Sequence, residues 1–550
     1  MEQTKKYRRI QVPTQDGGTL VEPAWSSLPQ VVADNRAAIQ QADLEIQGVS
    51  LAELAAGARR DLLASAATYT AGYHHLPANF ASVSVQQLPT LIFAGHQPQL
   101  FHPGVWYKNF AIAELSRLIG GIAVNLTIDG DLCRIVSTRV PTGSYDRPQI
   151  ASVAYDHPTL PLPYEERAVC DEETFSSFAK RVLDQVGDLI PNPMVESFWP
   201  LVLARYQQEP NLGRALAQAR HQMEGQFGNP NGALESLELP QSMVCQLPIF
   251  HQFVTHLLVN LPHFVNTYNQ ALQQYRKTYR LRNLAHPVPN LSENGGWLET
   301  PFWIWSKADP HRRPLFARLG TGKILIGDQA KEEHELSLGP NGDFASAAEQ
   351  LQQLSEDGIK IRTRAITTTL FARLFLADLF VHGIGGSKYD EVTDHILHGF
   401  YNINPPQYAT ISATRHLPIE HPSVTPDQTR QLQQELREMT FHPERFLDLQ
   451  HQEQDRMSML ASILAEKSKW VKTPKTPANA AQRHRAIVGA NRDLKPFLVE
   501  KRAALTDQYH RLAQQVQASS VLDSREYMFC LFPKCSLANF LLNFGKADAS

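Results

Sequence analysis

The chain has 550 residues, of which 43% are hydrophobic and 19% charged, and its formal net charge is −3. That length calls for two or three structural units. The near-neutral balance gives no overall drive towards nucleic acid or an anionic membrane. Five scattered cysteines (Cys133, Cys170, Cys245, Cys530 and Cys535) make neither a disulfide framework nor a zinc pattern. Their sparse, odd count fits reduced thiols, so a cytoplasmic location is expected. The first residues, MEQTKKYRRIQVPTQDG, carry no apolar signal region. The most apolar helix-like stretch, 370–381, is broken by Arg373 and Asp378 and is too short to span a bilayer.

Residues 1–87 read as an irregular lead-in followed by helices, with helical spacing over 51–71. The most informative stretch follows at 89–131. It predicts a strand over 89–93, a loop over 94–103, an amphipathic helix over 104–119 and a second strand over 122–128. Residues 140–165 are rich in Pro, Asp and Tyr and predict a loop. Helical patterns separated by proline fill 172–282, so an inserted helical subdomain is expected there. Alternation over 297–327 predicts β-hairpins. Next come a strand at 359–362, a helix at 365–377, a strand at 379–384, a Gly385-Gly386 turn and a helix from Ser387 to Phe400. Ser387 is the expected N-cap of that helix.

Beyond Thr425 strand signals vanish. Long polar helical patterns cover 426–439, 443–470 and 478–518, with KTPKTP at 472–477 between the two longer arms. Leu505, Tyr509, Leu512 and Val516 repeat as a helix-pairing seam. A continuous second arm would reach about 60 Å, with a kink expected at Pro496. An antiparallel helical hairpin that pairs with a second copy, or folds back on its own core, is the expectation. Residues 519–550 are apolar enough to dock on the body.

The chemistry-bearing residues cluster at the predicted ends of strands, where parallel α/β sheets bind ligands. Gly95, His96, Gln97 and His102 occupy the loop before the 104–119 helix, whose N-terminus attracts anions. Lys108 and Asn109 lie one turn into it and read equally well as ligand-facing or as surface. Asp129 and Asp131 end the next strand and can hold an amine or act as a base, although Asp-Gly-Asp is also a common plain turn. With no Glu or His beside them, no dedicated metal site is expected. Gly385, Gly386, Ser387 and Lys388 form a second anion-receptive corner. Arg364 and Arg415 are candidate carboxylate or phosphate clamps, with surface salt bridges as the competing reading.

The order of these features resembles the bacillithiol biosynthesis cysteine-adding enzyme family. GHQPQLFHPG at 95–104 stands where that family has its GQQ-type loop and following stretch. Ile128-Asp129-Gly130-Asp131 stands at its acidic turn. Arg364, TTTLFARLF, LFVHGIGG, SKYDEVTDHIL and NPPQYATISATR follow in the family's order, and residues 426–518 correspond to its C-terminal coiled coil. The second loop position is His96 instead of Gln, the acidic turn lacks its Glu and His, and the glycine turn reads GGSK, so the chain reads as a divergent member.

The resemblance implies a Rossmann-like parallel-sheet core over 88–424, with the helical insertion and a coiled-coil dimerisation arm. It implies ligation of cysteine to a glucosaminyl-malate-like amino sugar by an amide bond. His96, His102, Asp129 and Asp131 are then the catalytic candidates. Gly95, Gln97, Lys108, Asn109, Arg364 and Arg415 are substrate contacts, and Gly385, Gly386, Ser387 and Lys388 anion or nucleotide contacts. ATP is the candidate activating cofactor, with magnesium only alongside the nucleotide. A homodimer is expected, without membrane or nucleic-acid partners. The rival readings are nucleotidyl transfer to another small acceptor and a non-catalytic metabolite-binding dimer on the same scaffold.

Overall fold

The computed structural model describes residues 10–78, 80, 88–229, 232–233, 235–339, 344–421, 425–447, 454–542 and 544. The chain divides into two compact units, one of residues 1–140, 151–418 and 525–550, the other of residues 141–150 and 419–524. The first is mixed α/β around a sheet of six strands: β1 (Thr19–Glu22), β2 (Leu91–His96), β3 (Ile122–Thr127), β4 (Leu237–Pro240), β5 (Leu379–His382) and β6 (Ala409–Ala413). Their spatial order is β1-β6-β5-β2-β3-β4. Strand β1 runs antiparallel to β6, and every other pairing is parallel.

The sequence explains the parallel core. All six residues of β3 and the first four of β2 are buried. Such unbroken apolar runs suit strands covered on both faces. From β2 the chain lays β3 and β4 to one side, then returns to place β5 and β6 on the other. The direction of winding therefore reverses between β2 and β5, which opens a crevice at their carboxyl ends.

Helix α1 (Pro103–Ile119) joins β2 to β3. His102 caps its first turn, proline takes the first helical position, and Gly120 closes it in the left-handed region at φ 66°. Its start presses against β6, and a Cβ on Gly104 would lie 1.9 Å from the Ala413 carbonyl oxygen.

The 172–282 stretch is not purely helical, because β4 lies within it. Strand β4 is hard to see in sequence because LELP is four residues long and carries a charge. Glu238 is tolerated there because Asn125 Nδ2 donates to it at 2.8 Å and Arg220 pairs with it. The loop expected over 140–165 opens instead as a two-stranded sheet, Ser137–Ser144 with Arg147–Ala154, where the polar β-branched alternation outweighs the turn residues.

The hairpins expected over 297–327 belong to a second, antiparallel sheet. It runs Glu293–Asn294, Trp297–Ser306, Arg313–Gly320, Lys323–Gly327 and Glu333–Ser337. The strand Ile359–Thr363 joins this sheet beside Trp297–Ser306, pairing Phe302 with Thr363 and Ser306 with Ile359. Two of its five residues are only half-buried, which suits an antiparallel strand covered on one face. Pairing of Trp297–Ser306 with Arg313–Gly320 shifts register between Glu299 and Trp303, around Pro301, which has no N–H for the ladder.

Helix α2 (Ala365–Phe371) continues as a π-turn over Ala372–Leu376, and helix α3 (Ile384–Tyr401) follows β5. The N-cap of α3 is Gly383, not Ser387. Gly385 and Gly386 lie inside its first turn, and Ser387 is buried with its hydroxyl donating to the Ile384 carbonyl.

In the second unit the described residues of 419–524 are mainly helical. Pro426–Phe441 packs with Val499–Leu522, and Gln454–Lys472 with Ala480–Leu494. Each arm is interrupted, by the 3-10 turns Pro443–Phe446 and Lys495–Leu498, and the second turn contains Pro496. Leu505, Tyr509, Leu512 and Val516 are half-buried. Among the described residues no helix is long and apolar enough to cross a membrane.

Gly104→Ala is expected to cost roughly 1–3 kcal/mol, because the added carbon must displace backbone where a flexible tip would have yielded. A thermal melt of the variant beside the parent checks this, and an unchanged melting temperature would contradict the close approach.

Candidate functional site

A cavity of about 570 Å³ opens at the carboxyl ends of the parallel strands. Strand β2 contributes Gly95 and His96, β5 contributes His382, and β6 contributes Ser412. Three helices begin at its wall: α1 at His102 and Gly104, α2 at Arg364 and Ala365, and α3 from Gly383 to Gly386. Unpaired N–H groups at such ends favour negative charge.

The side chains add to this. Lys108, Arg312, Arg364 and Arg525 line the cavity, against the carboxylates of Asp131 and Glu526. Lys108 is buried and donates to the Gly95 carbonyl at 3.1 Å, and burial pushes its pKa down to about 8. Arg364 pairs with Glu299 at 2.7 Å through Nη1 and donates through Nε to the Phe302 carbonyl, while its buried Nη2 has no hydrogen-bond partner. Arg525 donates to the Ala413 carbonyl at 3.1 Å, and its Nη1 is likewise buried without a partner. An unmade hydrogen bond on a buried cation is costly and invites a ligand acceptor. Arg312 and Arg364 both lie over the Trp303 ring, at 4.3 and 4.1 Å from its centroid.

The two loop histidines differ in what they offer. His96 Nδ1 lies 3.0 Å from the Gln97 carbonyl, which can only accept, so Nδ1 carries the proton and Nε2 is the basic nitrogen. His102 Nδ1 accepts from Gly104 N–H at 3.1 Å, so in the neutral ring Nε2 bears the hydrogen. Burial above all pushes both pKa values down to about 3, with Lys108 adding to it for His96 and Arg525 for His102. Both rings are therefore neutral at ordinary pH.

The acidic turn splits around Gly130. Asp131 lines the cavity, accepting from Gln97 Nε2 and Arg312 Nη1, each at 2.9 Å. Asp129 does not line it. That side chain turns inward and accepts from Ser242 N–H at 2.8 Å and from the Ser242 hydroxyl. Burial, reinforced by Glu165, raises its pKa to about 6.

Four other expected contacts, Ser387 among them, fall outside the cavity lining. Asn109 is one residue round the helix from Lys108 and donates to buried Glu224 at 2.8 Å. Arg415 pairs with Asp16 and donates to the Ser536 carbonyl. Lys388 is exposed on α3, because the helix starts four residues before the expected cap. Gly95, Gln97, Gly385 and Gly386 do line the cavity, and Ser387 lies buried behind it.

Sequence reading missed Arg312, Arg525 and His382. His382 carried a usable signal, since it ends an apolar strand and precedes glycine at the next position. The two arginines come from a hairpin turn and the C-terminal segment, and only folding brings them to the cavity. Among the described residues no group of three or more His, Cys, Asp or Glu side chains is arranged to hold a metal ion.

The fold and site thus define a mixed α/β protein with an anion-receptive, small-molecule-sized cavity at the ends of its parallel strands. No protein-family model matches the chain, and no curated protein matches it.

Two outcomes follow from these charges. Asp129 has a folded-state pKa above its unfolded value, so the stability it contributes is fully present below about pH 4 and is lost as pH rises through about 6. Asp129→Asn, which keeps an acceptor and adds a donor for Ser242, should gain stability relative to the parent between those values and hold a constant difference above them. Denaturant titrations at several pH values read this directly. For Lys108, a bound anion stabilises the ammonium form, so anion affinity should weaken as pH rises through about 8. Calorimetry with inorganic phosphate should show that weakening in the parent and its loss in Lys108→Met.

Proposed function

We propose that the chain is a carbon–nitrogen ligase of the cysteine-adding kind, joining cysteine to a small carboxylated amino sugar of the glucosaminyl-malate type. The observation that carries this is the cavity itself. Four cationic side chains and three helix starts surround two carboxylates, Asp131 and Glu526, in a volume within the usual range for small-molecule sites. A substrate bearing both an ammonium group and carboxylates matches that charge layout. The parallel order β4-β3-β2-β5-β6, with its reversal between β2 and β5, supports a Rossmann-like reading of the core.

In this reading Asp131 receives the sugar ammonium, held in place by Gln97 and Arg312. Arg364 and Arg525, both in the cavity lining, receive carboxylates. His102 offers its Nε2–H beside them. ATP with magnesium, as the activating cofactor, would rest its phosphates against Lys108 and the starts of α1 and α3 and would supply the leaving group for the cysteine carboxyl. The helices of 426–522 are read as an antiparallel coiled coil that joins two copies, in the cytoplasm.

Mass spectrometry of the full chain with cysteine and glucosaminyl-malate, with and without ATP and magnesium, tests this. The expected product has the combined mass less one water. Asp131→Asn is expected to lower kcat/KM about 30-fold or more, the cost of removing the charge that holds the substrate ammonium. Its melting temperature should stay close to the parent's, since 40% of the Asp131 side chain is exposed. A folded protein that makes no adduct overturns the ligase reading. Pyrophosphate release from ATP without cysteine would instead support nucleotidyl transfer, and stabilisation by glucosaminyl-malate without turnover a binding protein.

A further inference from the structure

Three histidines line the cavity: His96, His102 and His382. A general base must accept a proton and survive as a cation. His96 is buried beside Lys108, and the cationic neighbour of His102 is Arg525, so an imidazolium at either place meets like charge. His382 is different. Its Nε2 lies 3.0 Å from Asp390 Oδ2. Asp390 has no exposure, and Arg373 holds its carboxyl well below the usual range despite burial. Arg373 Nη1 donates to it at 2.7 Å and Thr369 Oγ1 at 2.6 Å. A carboxylate fixed in this state can only accept, so His382 Nε2 keeps its proton and Nδ1 is the basic nitrogen.

The position of Nδ1 is marked by Gly386. A Cβ there would lie 2.6 Å from Nδ1, closer than real Cβ contacts come, while the next nearest atoms, Cγ and Cβ of the same histidine, are at 3.4 and 3.6 Å. Gly386 also lines the cavity. The glycine therefore leaves Nδ1 uncovered at the start of α3, where any side chain would press on it. The rings of Tyr408 and Phe380 complete the surroundings, with centroids 5.3 and 4.6 Å from the imidazole.

We propose that His382 is the general base of this cavity, with Asp390 and Arg373 as its positioning residues, and that it deprotonates the amine that attacks the activated carboxyl. The assignment rests on the reading of the cavity as an amide-forming site. In the step, one N–H bond of the substrate ammonium breaks and its electron pair stays on nitrogen as the attacking lone pair. The proton forms a new N–H bond at His382 Nδ1, and Asp390 balances the resulting imidazolium. Asp131 then serves to place the amine while His382 takes its proton.

Two experiments separate this assignment from the ligase reading. The first needs no turnover. In the full chain labelled with 15N-histidine, the His382 signals, assigned by their loss in His382→Gln, should show a proton held on Nε2 and none on Nδ1 in the neutral ring. Glucosaminyl-malate should shift the Nδ1 signal. A proton on Nδ1 in the neutral ring, or an Nδ1 blind to the ligand, overturns the base assignment whatever the reaction proves to be.

The second is kinetic. His382→Gln keeps a donor for Asp390 and removes Nδ1. It should lower kcat about 100-fold or more, leave KM and the melting temperature near the parent's, and abolish the acidic limb of the kcat/KM profile. Gly386→Ala keeps every group of the dyad but sets a Cβ against Nδ1, which covers it or displaces the ring, so it should lose turnover in parallel. Asp390→Asn should move the acidic limb, which a merely structural strut would not do. Adduct formation by the parent with full turnover in His382→Gln overturns the base alone. No adduct with an open, ligand-responsive Nδ1 supports the base and overturns the ligase reading.

Discussion

One carboxylate holds much of the cavity wall in place. Asp390, on α3, draws together Thr369 of α2, Arg373 of the π-turn after it and His382 at the end of β5. Arg373 reaches onward to Asp394 at 2.6 Å and to the Pro406 carbonyl in the approach to β6. A buried charge of this kind is stable only when its lone pairs are filled, and removing one partner strands the others. The walls built by α2, β5 and α3 are therefore set by a shared electrostatic requirement as well as by apolar packing.

A second carboxylate, Asp378, plays the same part at the opposite end of β5. It pairs with Arg59 at 2.8 Å and accepts from the Leu91 N–H at 2.8 Å, which fixes where β2 starts against β5. Those two strands flank the point where the winding of the sheet reverses. With both ends of β5 tied by charge, the crevice between β5 and β2 keeps its width, and the groups aimed into it keep theirs. Rigid placement of this kind is what a binding or catalytic site needs from its scaffold.

Much of this was legible in the sequence, and the misses have physical causes. The helix after Pro103 was readable because proline, glycine and apolar spacing agree at both its ends. The second corner was misread because glycine usually marks a turn, whereas Gly385 and Gly386 sit inside a helix. Gly386 is glycine because His382 lies against it, a constraint between residues four apart that backbone rules do not carry. Asp129 and Asp131 look equivalent in the sequence, yet one is consumed by Ser242 and the other faces the cavity. Consecutive Lys108 and Asn109 divide in the same way, as neighbours on a helix point to different sides. Arg312 and Arg525 lie roughly two hundred residues apart, so their meeting at the cavity belongs to the tertiary fold alone.

The buried polar groups of this unit fall into two kinds. Arg220 is shared by Glu224 and Glu238, and Arg362 is held by both oxygens of Glu165. These pairs close on themselves and brace the interior. At the cavity the pattern changes: Arg364 and Arg525 each spend some donors on backbone carbonyls and keep a buried nitrogen unbonded. Leaving such groups unsatisfied costs stability, and at Arg364 that cost falls beside Trp303 and the start of α2. Buried guanidinium nitrogens without partners also occur away from the cavity, on Arg59, Arg214 and Arg373, but Arg364 and Arg525 are the ones that belong to its lining, where a ligand's acceptors can approach.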